Sequence, residues 1–259
     1  SMRSREMAEV FTPSWICNAQ NNLIDESWFG RKDVFNHEMT TEENGHTWMV
    51  NHDKITFPQG KTWKDYVREN RLEITCGEAP YLVSRYDTTT GTFIPVEKRI
   101  GLLDRKLRIV SENTTTTREW LEAAKDAYRS IYAYEWQGDS LLLAREALLL
   151  SFIEYYRDKF GKDPQIKSIN HIAYIISWNA WQMDGLKCVV PDSCGERVRK
   201  EQSLFGTIEK REQCEGCMKN DMTRHNGIYC IIKDWHATDN TTGKKGKRIR
   251  FIDIIKKEA

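Results

Sequence analysis

Three styles of hydrophobic patterning follow one another along the chain. Up to about residue 70 the large apolar positions are scattered aromatics, among them Trp15, Trp28, Phe29, Phe35, Trp48, Phe57 and Trp63, with no steady period. Such a stretch predicts an irregular region whose rings pack onto a core, although exposed rings could also stack nucleic-acid bases. From Leu72 the pattern becomes an alternation. A short strand and loop at Leu72–Gly77 precede helices around Glu97–Val110 and Arg118–Arg129, a strand ends at Glu135, and two helices lead to a strand that runs to Asp184. The first of those two helices is the apolar Asp139–Leu150, with Asp139 as its N-cap, and the second is Ile166–Trp178. Strands alternating with helices predict a parallel α/β sheet. Beyond residue 190 the period is lost, a turn and strand recur at Asn226–Trp235, and Ile249–Ile255 reads as a closing strand. The predicted organisation is an aromatic region over 1–70, an α/β core over 71–190 and a small β-rich unit over 191–259.

Composition bounds this picture. A chain of 259 residues with 39% hydrophobic content can bury one large core with a small appendage. Its 39 Lys and Arg against 38 Asp and Glu give a net charge of +1, so any nucleic-acid surface must be local. The candidate is Lys244-Lys245-Gly246-Lys247-Arg248-Ile249-Arg250, which reads first as a solvated hairpin and second as a phosphate-contacting edge. No run of eighteen apolar residues occurs and the N-terminus is polar, so the expectation is a soluble cytoplasmic protein with no membrane partner.

The predicted strand ends carry the candidate chemistry. Glu73 precedes a tight Cys76-Gly77 turn, Glu135 closes the next strand, and Asp184 follows Met183 at the third. Ligands of open parallel sheets bind beyond the carboxyl ends of the strands, where Gly admits close backbone approach and an acid can take both ribose hydroxyls. Phe11-Thr12-Pro13, then Thr75-Cys76-Gly77-Glu78-Ala79 with Tyr81-Leu82, then Tyr134-Glu135 with Ala144-Arg145-Glu146 resemble, in that order, the S-adenosylmethionine-binding motifs of adenine-N6 DNA methyltransferases of restriction–modification systems. The resemblance spans about residues 5 to 190 and is similar in particular to the methyltransferase (M) subunits of such systems. It implies a Rossmann-like S-adenosylmethionine-dependent methyltransferase fold with a small cysteine-rich β appendage. It further implies that Thr12 and Pro13 border the cofactor, that Glu73, Cys76 and Gly77 form its loop, that Glu135 binds the ribose and that Asp184 binds the adenine.

The chain departs from the family at several positions. Glu73 stands where the family has Asp, and Glu78-Ala79 where it has Ser-Gly. About sixty residues separate the first loop from Glu135, against roughly twenty in an ordinary βαβ unit, so Tyr86–Lys125 holds an insertion. The Asn/Asp-Pro-Pro-Tyr motif that holds a flipped adenine is absent, and Asn179 of Asn179-Ala180-Trp181-Gln182 is the nearest catalytic candidate. A partner polypeptide carrying Asn-Pro-Pro-Tyr would then complete the enzyme on double-stranded DNA.

Five of the seven cysteines crowd the last third of the chain. Cys214-Glu215-Gly216-Cys217 has zinc-knuckle spacing, and His225 with Cys230 would complete a tetrahedron, with Cys188 and Cys194 as alternatives. A structural zinc ion would staple a segment, Pro191–Asp221, too poor in apolar residues to fold by burial. The expected function is the S-adenosylmethionine-binding part of a DNA adenine-N6 methyltransferase. Rival expectations are a methyltransferase acting on RNA or protein, and a non-enzymatic, zinc-stapled DNA-binding or assembly subunit.

Overall fold

The computed structural model describes residues 11–42, 45–203 and 206–255. Glu9 and Val10, which precede the Phe11-Thr12-Pro13 entry, lie outside them. By chain contacts the protein divides into two units, the first comprising Ser1–Ala133 with Asp139–Ala180 and the second Tyr134–Gly138 with Trp181–Ala259.

In unit 1, Pro13 at the N-cap starts helix α1, Ser14–Phe29, and Gly30 at φ 70° ends it by donating its N–H to the Glu26 carbonyl. Helix α1 buries Asn18, Asn21 and Asp25, a polar face that no hydrophobic period announces. Asn21 donates its amide to the Tyr81 and Ile100 carbonyls, both at 3.0 Å, and Asn18 and Asp25 are explained by Arg105. Its guanidinium reaches Asp25 Oδ2 at 2.5 Å, Asn18 Oδ1 at 2.9 Å and Asn22 Oδ1 at 2.8 Å, and Tyr66 donates its hydroxyl to the other Asp25 oxygen at 2.8 Å. A buried charge survives only when paired and hydrogen-bonded in this way. The aromatic region then forms a hairpin, β1 (Asn36–Thr40) against β2 (His46–Val50). Its rings Trp28, Phe29, Phe35, Phe57 and Tyr66 pack on one another at centroid distances from 4.7 to 6.4 Å.

After helix α2 (Trp63–Arg68) comes strand β3, only Arg71–Glu73, paired in parallel with β4 (Ile131–Glu135) in the register Arg71↔Ile131, Leu72↔Tyr132 and Glu73↔Ala133. Between them lie α3 (Leu102–Asn113) and α4 (Thr117–Arg129), the latter begun by a Thr116–Glu119 capping box. Helices α5 (Gly138–Phe160) and α6 (Ile166–Asn179) follow, and β5 (Ala180–Gln182) joins the sheet in the order β3-β4-β5. The protein is thus a mixed α/β structure with a short parallel three-stranded sheet. The core of unit 1 centres on Leu103, Leu107, Trp120, Tyr128 and Phe152, each with zero exposure. Asp139 lies inside the first turn of α5, not at its N-cap, and accepts the Ser140 N–H at 2.9 Å.

Unit 2 holds two antiparallel hairpins, β6 (Arg197–Ser203) with β7 (Gly206–Glu212) and β8 (Ile231–Thr238) with β9 (Lys245–Arg250). A short helix α7 (Glu215–Lys219) stands between the hairpins. The expected closing strand is divided. It stops at Arg250, and Phe251–Ile255 forms helix α8, which buries Phe251 and Ile252 and carries an Arg250–Asp253 pair at helical spacing. No described helix is long and apolar enough to cross a membrane.

Candidate functional site

The most developed constellation lies in unit 2. Cys194 Sγ stands 3.2 Å from Cys214 Sγ, 3.5 Å from Cys217 Sγ and 3.3 Å from His225 Nδ1. His225 Nδ1 is in turn 3.5 Å from Cys214 Sγ and 3.6 Å from Cys217 Sγ, and all four ligand atoms lie within 4.8 Å of one another. Around a tetrahedral zinc ion with bonds of about 2.3 Å to sulfur and about 2.0 Å to nitrogen, the ligand atoms stand roughly 3.5–3.8 Å apart. The four side chains could therefore hold one such ion.

Each ligand is positioned by local chain geometry. Cys214 precedes α7, and Gly216 within the knuckle allows the Asp221–His225 turn to approach. A Cβ on Gly216 would lie 2.7 Å from the His225 nitrogen and 2.8 Å from the Asp221 oxygen. Asn226 joins the other two sides. Its side chain exchanges hydrogen bonds with the backbone of Gly195 at 3.1 and 2.7 Å, while its own N–H points to Cys214 Sγ at 3.3 Å. The Tyr229 hydroxyl accepts the His225 N–H at 2.9 Å and donates to the Met222 carbonyl at 2.9 Å, fixing the turn that carries the imidazole. Burial raises the Cys214 thiol, but the backbone N–H groups of Asn226 and Cys217 outweigh it and bring it down to about 6. Burial, with the hydrogen bonds to its sulfur neighbours, pushes Cys194 up to about 12. Three thiols this close cannot all ionise without a cation among them.

The fourth ligand position belongs to Cys194, one of the two alternatives, and not to Cys230. The Cys230 thiol is buried and donates to the Gln182 carbonyl at 3.4 Å, and its backbone N–H reaches the Cys188 carbonyl at 3.1 Å. Burial pushes the Cys230 thiol to about 12 and that of Cys188 to about 11, the latter with help from the Asp184 charge. Spacing along the chain could not choose among three single cysteines. No local signal singles out Cys194, because what brings it to the site is the pairing of Asn226 with Gly195 across 31 residues.

The residues expected to bind a methyl donor divide between the units. In unit 1, Pro13 caps α1, and the Thr12 carbonyl accepts the Thr88 hydroxyl at 2.8 Å. Asp87 ties the entry down by accepting the Ser14 N–H at 2.7 Å. Burial raises the Tyr81 hydroxyl, with the neighbouring Cys17 and Glu73 charges adding to it, and burial with the Glu73 charge pushes the Cys17 thiol up to about 12. Helix α1 reaches the segment after the first loop through Asn21, which donates its amide to the Tyr81 carbonyl at 3.0 Å. Glu73 accepts the N–H groups of Tyr81 and Leu82 at 3.4 and 3.2 Å. Within the loop it closes, Thr75, Gly77 and Ala79 all have positive φ, at 46°, 53° and 61°. For a β-branched residue such as Thr75 this backbone is strained, and strain of that kind gathers at ligand-binding turns. Cys76 is buried at 2% exposure.

In unit 2, Glu135 Oε1 accepts the Trp136 and Gln137 N–H groups at 2.8 and 3.0 Å. Asp184 Oδ1 accepts those of Leu186 and Lys187 at 3.0 and 3.2 Å, and its other oxygen is 3.4 Å from Lys187 Nζ. Glu73, Glu135 and Asp184 thus share one local task, folding the turn that follows a strand of the sheet. Asn179 belongs to the core of unit 1. It is 2% exposed and donates its amide to the Tyr128 and Ile131 carbonyls at 3.0 and 2.8 Å. Sequence reasoning missed Asp87, though Asp87-Thr88-Thr89-Thr90-Gly91 is a recognisable Asx-turn sequence.

No protein-family profile, curated protein or solved structure matches this chain.

Proposed function

We propose that the chain is the S-adenosylmethionine-binding part of a DNA adenine-N6 methyltransferase system, built on a Rossmann-like sheet. The observation that supports this reading is the shape of the first loop, where Glu73 accepts the Tyr81 and Leu82 N–H groups at 3.4 and 3.2 Å around a turn in which Thr75, Gly77 and Ala79 all have positive φ. The strand order β3-β4-β5 supports it, since the three strands that precede the Cys76-Gly77 loop, Trp136 and Asp184 are neighbours in one parallel sheet. In this reading Glu135 takes the ribose hydroxyls and Asp184 the adenine amino group of the cofactor. S-adenosylmethionine bound there would supply an activated methyl group for the N6 of a flipped DNA adenine. A partner carrying Asn-Pro-Pro-Tyr holds the target base.

DNA is met by the β8–β9 ribbon. Lys233 stands directly opposite Arg248, and Lys247 and Arg250 flank Arg248 on its own strand. Like charges directly across a ribbon repel, and phosphate relieves that repulsion. Calorimetric titration with S-adenosylmethionine tests the proposal. Micromolar binding by the wild type, lost in Glu135→Ala, is expected, and no heat with an unchanged melting temperature would overturn it.

The Cys194, Cys214, Cys217 and His225 cluster, together with the same ribbon, favours a second reading, a zinc-stapled DNA-binding or assembly subunit that binds no cofactor. It requires salt-dependent DNA binding in a protein that ignores S-adenosylmethionine.

A further inference from the structure

The four-ligand cluster stands at the root of a hairpin that has no means of its own to stay folded. Cys194 lies just before β6 and Cys214 just after β7, so the two sulfurs 3.2 Å apart close the base of the Arg197–Glu212 ladder. Along that ladder every described side chain on β6 is exposed, and on β7 all are exposed except the half-buried Glu212. Its cross-strand ion pairs, Arg199 with Glu212 at 3.5 Å and Lys200 with Glu209 at 3.4 Å, are solvent-exposed and individually weak. A two-stranded ribbon without a buried face is marginal in water.

We propose that one Zn²⁺ ion bound by Cys194, Cys214, Cys217 and His225 is the structural staple that holds the β6–β7 hairpin folded. Three thiolates and an imidazole suit zinc among the common metals. Ligand atoms 3.2–3.6 Å apart surround one ion and leave no room for the several iron and sulfide atoms of a cluster. Four protein ligands close the coordination sphere, so no position is open for water or substrate, and the site is structural. The ion joins three segments that Asn226 already links by hydrogen bonds: the Ser193–Gly195 turn, the start of α7 and the His225–Asn226 turn. This inference is independent of the methyl-donor reading, because none of the four ligands is among the residues that reading uses.

The test uses the whole chain and reads metal and hairpin separately. Elemental analysis after gel filtration is expected to give one zinc per chain, and Co²⁺ loaded in its place should show the visible bands of a tetrahedral, thiolate-bound ion. Cys194→Ser and Cys217→Ser should lose the metal, while Cys230→Ser retains it. For the wild type, stripping zinc with a chelator in the presence of reductant should open Arg197, Arg199, Lys200, Lys210 and Arg211 to trypsin by at least tenfold in cleavage rate, and restored zinc should reverse this. Because the last comparison uses the unaltered chain, misfolding of a variant cannot decide it. A reduced protein that binds no zinc, metal loss in Cys230→Ser but not in Cys194→Ser, or a hairpin equally resistant after complete stripping would each overturn the proposal.

Discussion

In unit 1, Trp120, Tyr128 and Phe152 are wholly removed from solvent and lie 5.8 to 6.1 Å apart in a ring cluster. In unit 2, the β6–β7 hairpin buries no described side chain, and order gathers around four metal-ligand side chains and the hydrogen bonds of Asn226. The first region is held by area removed from water, which is tolerant of chemistry and sensitive to volume. The second is held by directional contacts among few atoms, which is tolerant of volume at the surface and sensitive to any single ligand. A mutation scan of the two regions should therefore give a broad distribution of modest losses in unit 1 and a few all-or-none positions in unit 2.

The sharpest way to break this comparison is Trp120→Ala. It removes a fully buried ring together with its hydrogen bond to Ser111 Oγ at 2.9 Å, and should cost about 3–5 kcal/mol in chemical denaturation with metal content unchanged. Loss of metal in that variant would mean that the two modes of stabilisation are not separate. Gly216→Ala is the counterpart in unit 2. Its Cβ would lie under 3.0 Å from backbone at His225, Arg224 and Asp221, an overpacking cost of about 1–3 kcal/mol. We expect faster metal release to a chelator and an unchanged unfolding transition for unit 1.

The smallest effect concerns acid. Burial raises the Glu154 carboxyl, but hydrogen bonding from Arg85 and the charge of Arg99 bring it below its ordinary value of 4.5. The two guanidinium contacts are both 2.6 Å long. With the folded value depressed, the stabilisation is complete above pH 4.5 and is lost as pH falls through the folded value. Melting temperature measured from pH 6 downward should fall less steeply in Glu154→Gln, even though that variant starts lower. An identical slope would remove Glu154 from the acid response.

Legibility follows the same division. The strand ending at Glu135 and the helices at Thr117–Arg129 and Ile166–Asn179 were readable because burial imposes a period on the sequence. Helix α1 was not, since the face it buries is Asn18 and Asp25, chosen by the distant Arg105, and Asn21, chosen by the carbonyls of Tyr81 and Ile100. The knuckle at Cys214 and Cys217 was readable from local spacing, and His225 from its nearness to it. Cys194 was only one of several options, because the ligand is selected by a turn pairing between Gly195 and Asn226 that spans 31 residues. That Asp87 would tie down the start of helix α1 was not readable either, as no pattern in a single chain records which loops touch.

Strand β4 also sets an order of events during synthesis. Its first residues pair with β3, which has already left the ribosome, but Tyr134 meets Trp181 and Phe251, and the Glu135 carbonyl receives the Met183 N–H at 2.9 Å. At roughly 5–20 residues per second, Phe251 follows Tyr134 by about 6–23 s. Trp181 arrives first, so until Phe251 follows the aromatic strand end is covered only in part, a waiting period in which a chaperone or a neighbouring nascent chain competes with the chain's own late residues.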